Sequence, residues 1–377
     1  MMPAKVSMRT NAISEIQRIG RDARVWVSMP VLEGVTPRVL STRGEKCQVE
    51  GEPLERRQGV FRIDEVGVPV FDHGVLYGDA VFEGILVSGG RLFLLREHLE
   101  RLWASADQLS IRVPGDAAAM TAMLLRSVRE TGATADDTAY IRLVVTRGIG
   151  DLGIHPASCV GSTIYSIAAK IQLYPEAAYQ RGIAVAVSRE TRRTGAGILD
   201  PRVKSCNYLN NILGLLTTLS EGCLETVMLT TEGYVAEATA DNMFLVEREE
   251  GWQTDPAKIR VITPSGDYCL NGITRKVILD AAVSLGYQVI ESGQMVPSDW
   301  MGPNREGFLT GTGAGLMPII SMAGHPVGDG QPGAVTMRLR ERLRAAMADP
   351  ACGISIDATE EEIAEYLGVA AAEPMTV

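Results

Sequence analysis

The sequence has few of the residues that cross-link a small domain or hold a metal ion. Its 377 residues include 6 cysteines, no two of which form a C-x-x-C pair, and only 4 scattered histidines. In so long a chain, widely spaced cysteines are typical of reduced thiols rather than of a disulfide framework. Scattered histidines give little support to a metal centre. We therefore expect a fold that is stabilised by burial, with no bound metal.

The sequence also lacks a long apolar run. No stretch approaches the ~20 residues that a membrane-spanning helix requires. Charged residues interrupt the N-terminal MMPAKVSMRTNAISEIQR, where a signal peptide would be apolar. The formal net charge of −10 at pH 7 repels phosphate backbones and anionic membranes. We expect a cytoplasmic protein that binds neither nucleic acid nor membrane, and any bound anion needs a local positive site.

The overall composition is that of an ordinary globular protein, with 46% hydrophobic and 22% charged residues. At roughly 100–200 residues per domain, the length suggests two domains. Helical and strand-like patterns alternate irregularly, which predicts two α/β or α+β lobes rather than one wound sheet. The predicted division is an irregular N-terminal extension (1–60), a small domain (61–174), a linker (175–181), a large domain (182–350) and a C-terminal tail (351–377).

Hydrophobic periodicity places the individual elements. Strands are predicted near 66–71, 81–87, 91–95, 139–146, 163–173, 183–187, 226–229, 234–238, 243–247, 287–290 and 307–310. Helices are predicted near 96–109, 117–131, 207–220, 273–285 and 334–346. The loop at 194–205 connects a strand of the second half to an apolar helix.

Two glycine clusters suggest a nucleotide-binding loop. Residues 148–153 fit G-x-G-x-x-G after a strand, but His155 and Pro156 follow where a helix would have to begin. Residues 311–315 also follow a strand, but Pro318 and further apolar residues come next. Both clusters are better explained as turns. No P-loop, zincin or nucleophile-elbow pattern occurs, so the sequence gives no support to those enzyme classes.

Of the few lysines in the chain, Lys204 has the surroundings that most suggest chemistry. It lies in DPRVKSCNY, at the end of a loop that leads into an apolar helical stretch. Partial burial there would lower the pKa of its amine and make that amine a nucleophile or a base. A lysine on a solvated surface loop is the alternative.

Two further features suggest a bound ligand. Glu237 lies among small residues in a predicted strand, where a buried carboxylate needs a cationic partner; an edge-strand glutamate in solvent is the alternative. Gly272, Ile273 and Thr274 begin a predicted helix, and the unpaired N–H groups there would suit a phosphate. Ordinary N-capping, by Asn271 or Thr274, is the alternative explanation.

These features occur together in one known arrangement. The sequence resembles the fold type IV pyridoxal-phosphate enzymes, the class IV aminotransferases, and within them the branched-chain amino acid aminotransferases. The resemblance runs from about 66 to 326. It rests on seven motifs in order: FDHGVLYGDAVFEGI (71–85), REHLERLWASA (96–106), AYIRLVVTRG (139–148), DPRVKSCNYLNNIL (200–213), EGYVAEATADNMFLV (232–246), LNGITRKVI (270–278) and FLTGTGAGLMPI (308–319).

The resemblance implies a two-domain fold with pyridoxal 5'-phosphate in the cleft between the domains. Lys204 would be the catalytic residue, which carries the cofactor as an internal aldimine and then shuttles a proton between the substrate and the cofactor. Glu237 would keep the pyridine nitrogen protonated, and Tyr208 would hydrogen-bond the ring oxygen. The other cofactor-binding positions are Arg101, Gly272, Ile273, Thr274, Thr312 and Gly313.

The resemblance also implies the reaction. The amino group would move from a branched-chain or similar apolar L-amino acid to 2-oxoglutarate by a ping-pong mechanism, in a homodimer or higher homo-oligomer. Arg147 matches a carboxylate-binding arginine of D-amino acid aminotransferases, but branched-chain relatives often have one too. The matching substrate positions are Tyr77, Phe82, Tyr140, Arg142, Gly313 and Ala314.

Two departures from the family pattern concern the substrate. Leu86 stands where the branched-chain pattern has arginine after FEGI, and GTGAG (311–315) replaces GTAAE, which would widen the pocket. The alternatives are a D-amino acid or (R)-amine transaminase of the same fold, or a carbon–carbon lyase resembling aminodeoxychorismate lyase. A non-catalytic binding protein would be expected to have lost Lys204 or Glu237.

Overall fold

The computed structural model describes residues 17, 19–49, 54–170, 176–216 and 222–369 of the chain. They divide into two units, each built on its own β-sheet. The first unit contains the described residues up to 170 together with 350–369, and the second contains 176–349. The prediction of two mixed α/β lobes is confirmed.

Helices and strands alternate along both units. The strands are β1 (Arg24–Pro30), β2 (Glu45–Cys47), β3 (Arg56–Arg62), β4 (Ala80–Ser88), β5 (Arg91–Phe93), β6 (Ala139–Thr146), β7 (Ile164–Lys170), β8 (Ile183–Arg192), β9 (Glu225–Leu229), β10 (Val235–Ala238), β11 (Asn242–Arg248), β12 (Ile259–Pro264), β13 (Gln288–Ser292), β14 (Arg305–Gly311), β15 (Gly315–Met322), β16 (His325–Pro326) and β17 (Gly353–Ser355). The α-helices are Arg38–Arg43, His73–Tyr77, Leu95–Gln108, Ala117–Arg129, Glu176–Arg181, Leu209–Leu216, Ile273–Ser284, Ala334–Ala348 and Glu360–Leu367.

The first unit is a sheet in the order β17-β5-β4-β6-β7-β1-β3-β2. Its pairings among the described residues are antiparallel. β4 lies near the middle, and its residues before Ser88 are all buried. The helix Leu95–Gln108 packs against one face of β4. Because side chains alternate across a strand, β4 presents one set of residues to this helix and another to the opposite face.

The predicted irregular extension at 1–60 is wrong for the residues that the structure describes. β1 lies inside the sheet, between β7 and β3. Its sequence RVWVSMP alternates side chains across the sheet as a strand requires. The breakers that suggested irregularity, such as Pro37 and Gly44, lie at the ends of elements. The core cluster contains Val25, Val27, Met29, Leu40 and Phe61.

Other sequence-based boundaries also need correction. Residues 66–71, predicted as a strand, form no strand, and pairing begins only with a single bridge between Asp72 and Ile149. Of the predicted linker, the described residues Glu176–Arg181 form a helix. The predicted C-terminal tail contributes β17 and the helix Glu360–Leu367 to the first unit. In the second unit, the strands β12, β15 and β16 were not predicted. Positions 171–175 and 217–220 of the predicted elements lie outside the described residues.

The second unit is a sheet in the order β10-β9-β8-β15-β14-β11-β12-β13, with β16 beside β15. Along β11 the side chains alternate between two core clusters. Met243 and Leu245 belong to one cluster, and Phe244 and Val246 belong to the other. The helices Ile273–Ser284 and Ala334–Ala348 cover the face that carries Phe244. A sheet buried on both faces gives a rigid base for loops at its strand ends.

The turn prediction is confirmed for residues 311–315, whereas residues 148–153 contain a single bridge at Ile149 and a bend. No helix follows residues 148–153, and the next regular element is a short 3-10 turn, Pro156–Ser158. Residues 312–314 are the turn of the β14–β15 hairpin, in which Gly311 pairs with Gly315. Within the ranges that the structure describes, no helix is long and apolar enough to cross a membrane.

Met29→Ala tests whether β1 belongs to the core. Met29 is fully buried in the cluster with Leu40 and Phe61. We expect the variant to lower the free energy of unfolding of the first unit by about 2–5 kcal/mol, since truncation leaves a cavity. Urea denaturation measures the change, and Glu33→Ala, at an exposed position, is the control. A loss below ~0.5 kcal/mol, as for an ordinary surface substitution, would contradict this placement.

Candidate active site

Lys204 lies in the loop between β8 and the helix Leu209–Leu216 of the second unit. Its side chain is half-buried, whereas Val203 and Ser205 on either side are buried. One cleft is lined by Lys204, Tyr208 and Arg193, and Leu270 also contributes to it. Lys204 is therefore not an extended surface lysine, and the structure brings it together with the predicted Tyr208.

Glu237 is buried although β10 is the first strand of its sheet. A register shift between Val235 and Glu237 marks a β-bulge, which re-aims a side chain. The Glu237 Oε1 atom accepts a hydrogen bond from Nε of Arg193 at 2.6 Å. Its Oε2 atom accepts from the backbone N–H of Leu270 at 3.1 Å and from Nδ2 of Asn242 at 3.3 Å. The carboxylate thus has the cationic partner that a buried acid requires, and the solvent-exposed alternative is wrong.

The N-terminus of the helix Ile273–Ser284 leaves its backbone accessible to a ligand. Its N-cap is Gly272, and no side chain caps it, so the alternative of capping by Asn271 or Thr274 is wrong. A Cβ atom on Gly272 would clash with Oδ1 of Asn242. The same Asn242 donates to the carbonyl of Leu270 at 2.8 Å. Asn242 therefore links the Glu237 carboxylate to an uncapped helix N-terminus, which can receive an anion.

The hairpin turn that contains Thr312, Gly313 and Ala314 is tied to the same region. A Cβ atom on Gly311 would clash with Oδ1 of Asp241, so the aspartate packs directly against the glycine backbone. Asp241 immediately precedes Asn242. One short segment, 237–242, thus contacts the Lys204 cleft, the helix N-terminus and the hairpin.

The charges of Glu225, Glu237 and Lys204 all act on the buried Asp241. Burial raises the pKa of Asp241 to about 7, and the negative charges of Glu225 and Glu237 add to the effect while the charge of Lys204 opposes it. Burial also raises the pKa of Glu225, although its carboxylate accepts hydrogen bonds from the backbone of Thr226 and from Thr239. No cluster of three or more histidine, cysteine, aspartate or glutamate side chains suited to a metal occurs in the described ranges.

The first unit gathers three of the predicted substrate residues on one face of β4 and β6. The guanidinium carbon of Arg142 lies 4.2 Å from the ring centroid of Phe82. The hydroxyl of Tyr140 lies over Gly84, in space that a Cβ atom on this residue would occupy. Leu86 is the cross-strand neighbour of Tyr140. This face therefore combines aromatic and aliphatic surface with a single cation.

Two further candidate residues of this unit, Tyr77 and Arg147, have structural contacts. The hydroxyl of Tyr77 donates to the carbonyl of Leu152, and its ring meets the ring of His73 edge-on at 5.0 Å. Arg147 pairs with Asp79 through Nη2 and Oδ1 at 3.0 Å. It also donates to the carbonyls of Leu109 and Ser110, at 2.8 and 2.9 Å. Arg147 thus closes the end of β6 against a neighbouring loop.

Arg101 lies on the helix Leu95–Gln108 and points to the opposite face of β4. Its Nε and Nη2 atoms donate to Oε1 and Oε2 of Glu83, at 2.7 and 2.8 Å. The Glu83 side chain is fully buried, and that of Arg101 is 14% exposed. The guanidinium is therefore held along one edge.

Residues 80–322 match the family model described as amino-transferase class IV. The chain belongs to the class IV aminotransferases. A relative in Methanocaldococcus jannaschii, provisionally named a branched-chain-amino-acid aminotransferase, is 37% identical over 277 residues, covering 74% of this chain and 90% of that protein. The branched-chain-amino-acid aminotransferase of Pseudomonas aeruginosa is 32% identical, covering 72% of this chain and 85% of that protein.

A solved structure supports the same family. The branched-chain amino acid aminotransferase of T.th., with pyridoxamine 5'-phosphate, is 27% identical and superposes with a TM-score of 0.70. The match covers 79% of this chain and 96% of that chain. The family predicted from the seven motifs is confirmed.

Sequence reasoning missed several residues that organise this class IV aminotransferase. Arg193 carries no signal, because it stands beside another arginine and only the fold brings it to Glu237. Asn242 and Asp241 follow Glu237 within one motif, so their proximity was available from the sequence. Glu83 had a signal as well: a charged residue inside the apolar strand AVFEGILVS needs a partner.

The raised pKa of Asp241 predicts a pH-dependent stability difference. Its value of about 7 exceeds the ordinary 3.8, so the protonated form favours folding. That contribution is complete below about pH 4 and is lost as the pH rises through about 7. The side chain of the Asp241→Asn variant cannot ionise. We therefore expect the melting temperature of the variant, relative to that of the wild type, to rise between about pH 4 and pH 7 and to stay constant above this range.

Thermal melts of the cofactor-free chain between about pH 5 and pH 8 measure this difference. Asp267→Asn, at a side chain that is 78% exposed, is the matched control and should show no such trend. A difference for Asp241→Asn that does not change with pH would contradict the raised pKa.

Proposed function

We propose that this protein is a pyridoxal-phosphate-dependent transaminase that moves the amino group of a branched-chain or similar apolar L-amino acid to 2-oxoglutarate. The proposal is carried by one observation: Lys204 lines a cleft together with Arg193, the partner of the buried Glu237. The names of the relatives and the pyridoxamine phosphate in the solved relative support it.

The residues present fit the cofactor's phosphate. An uncapped N-terminus on a 12-residue helix offers backbone N–H groups and the positive end of the helix dipole. Gly272 has no room for a side chain, so the backbone itself can meet the anion. We assign phosphate binding to Ile273, Thr274 and Thr312, with Arg101 of the first unit as the cation.

The residues present also fit the ring. When bound, pyridoxal phosphate supplies a carbonyl that receives the amino group and a pyridine ring that withdraws electrons. Glu237 would keep a proton on the pyridine nitrogen, because its carboxylate is buried and fixed by three donors. Tyr208 would hydrogen-bond the ring oxygen. Arg193 keeps Glu237 in place.

Lys204 performs two tasks. Its amine would hold the cofactor covalently in the resting enzyme, and once freed by the amine of the substrate it would take the proton from the substrate Cα. The same amine would then deliver the proton to C4′ of the cofactor. A ping-pong cycle follows, in which the amino acid leaves as its keto acid before 2-oxoglutarate binds.

The substrate side chain is assigned to the face that carries Phe82, Tyr140 and Leu86. Aromatic and aliphatic surface of this kind favours an apolar side chain over a charged one. The substrate carboxylate is assigned to the backbone N–H groups of Gly313 and Ala314 in the hairpin turn, with Arg142 and Tyr77 as further substrate residues.

A homodimer is part of the proposal. The helix Leu209–Leu216 exposes an apolar stripe at i, i+3, i+4 and i+7, formed by Leu209, Ile212, Leu213 and Leu216. Such a stripe on a monomer is a typical site of association, and a second copy of the chain is the partner that the family offers. We place the enzyme in the cytoplasm, where thiols not joined by disulfides stay reduced.

Donor specificity tests the substrate assignment. With 2-oxoglutarate as acceptor, we expect kcat/KM for L-leucine to exceed that for D-alanine and for (R)-1-phenylethylamine by roughly 100-fold or more. Glutamate formation is the readout. Preference for D-alanine or for the amine would assign the enzyme to those transaminases. Release of pyruvate from aminodeoxychorismate without amino transfer would indicate a lyase.

Lys204→Ala tests the catalytic assignment. We expect a loss of transamination of roughly 1,000-fold or more, because the variant lacks both the covalent anchor and the base. Steady-state kinetics and the visible absorption of the bound cofactor measure the two effects. Lys276→Ala is the control, since the Lys276 side chain is 72% exposed and pairs with the equally solvated Asp280 on its own helix. Near wild-type turnover in Lys204→Ala would contradict the mechanism.

A further inference from the structure

A buried ion cluster in the first unit contains two residues, Glu83 and His98, that have no role in the mechanism above. Glu83 on β4 holds two side chains of the facing helix, Arg101 and His98. His98 is 1% exposed, and its Nδ1 atom lies 2.7 Å from Oε2 of Glu83. His98 and Arg101 are three residues apart, so they occupy the same side of their helix. The cluster joins the helix to the middle of the sheet.

We propose that Glu83 is a positioning residue for the cofactor phosphate, because its two-point contact fixes the guanidinium of Arg101 in the orientation that binds this anion. The inference rests on the proposed function, in which Arg101 is the cationic side chain that binds the cofactor phosphate. Glu83 itself touches neither substrate nor cofactor in this account.

The contact geometry carries the argument. Glu83 takes the Nε–Nη2 edge of Arg101 with two bonds of 2.7 and 2.8 Å. A planar guanidinium held along one edge has a fixed plane, and its other edge then presents N–H groups in one direction. An arginine side chain ordered in advance loses less entropy when the anion binds.

The ionisation state of Glu83 supports the same role. Burial alone would raise the pKa of its carboxyl, but the charge and hydrogen bonds of Arg101, together with those of His98, lower the pKa to about 2. The group is therefore an ionised acceptor, and His98 must carry its proton on Nδ1 and donate it to Glu83. His98 fixes Oε2 from a second side, so the carboxylate cannot rotate with the arginine.

Simple stabilisation explains this cluster poorly. Burying an ion pair costs desolvation, and apolar residues of similar volume often replace such pairs without loss. The direction of the change in phosphate binding also distinguishes a pure charge effect of Glu83 from a positioning role. If Arg101 acted on phosphate through its charge alone, removing the negative charge of Glu83 would strengthen phosphate binding. If Glu83 positions the guanidinium, the same change weakens it.

The test compares two ligands that differ only in the phosphate. The full-length protein is depleted of cofactor and titrated with pyridoxal phosphate and with pyridoxal, with the absorbance of the bound form as readout. The dissociation constant of pyridoxal divided by that of pyridoxal phosphate measures how much the phosphate contributes to binding. In Glu83→Gln an amide N–H₂ faces the donors of Arg101 or His98, so we expect this ratio to fall by roughly tenfold. Activity is not needed for the readout.

Control variants separate positioning from general destabilisation. Glu100→Gln removes the same charge from an exposed neighbour of Arg101 and should leave the ratio unchanged. His98→Ala removes the second donor to Glu83 and should lower the ratio in the same direction by about twofold or more. In an Arg101→Ala background, Glu83→Gln should have no further effect on the ratio.

The outcomes are distinct. A wild type that binds pyridoxal as tightly as pyridoxal phosphate would overturn the proposed function itself. A wild type with a clear phosphate advantage that Glu83→Gln retains or increases would overturn the positioning role alone. If Glu83→Gln does not fold, His98→Ala decides: an unchanged ratio overturns the role, and a reduced ratio supports it.

Discussion

The arrangement of the second unit depends on one buried carboxylate. Glu237 sits behind a β-bulge on the first strand of its sheet, and three donors from different segments meet on it. Arg193 follows β8, Asn242 begins β11, and Leu270 precedes the helix that begins at Ile273. Removing the carboxylate would leave the mostly buried guanidinium of Arg193 and the backbone N–H of Leu270 without this acceptor, which is costly. The site is therefore organised around an acid that the fold already needs.

The first unit also contains a buried carboxylate that is paired with side chains from another element. Glu83 is fully buried inside an apolar strand and is matched by Arg101 and His98. On the opposite face of β4, where side chains alternate outward, Phe82 meets Arg142 and Gly84 leaves room for Tyr140. One strand thus carries an ionic face toward its helix and an apolar face suited to a substrate. Glu237 and the residues of the first unit's apolar face lie on strands, whereas Arg193, Lys204 and Tyr208 lie in the loop between β8 and the helix Leu209–Leu216.

Much of this could be predicted from the sequence, and the physical reasons for the misses are specific. Strongly periodic elements such as β6 and the helix Ala117–Arg129 were predicted close to their observed bounds, because burial imposes the period. β1 was missed because glycine, proline and charged residues flank a short strand, and only long-range pairing with β3 and β7 shows that it belongs to the core. Arg193 was missed for the same reason, since its partner lies 44 residues away.

We propose that Lys204 is the residue that bonds the cofactor. The most direct measurement is to reduce the purified protein, loaded with pyridoxal phosphate, with sodium borohydride, which fixes a lysine-bound carbonyl group to its lysine. Mass spectrometry of the digested protein then locates the modified residue. We expect the added mass on Lys204. Modification of another lysine, or no modification on any lysine, would contradict it.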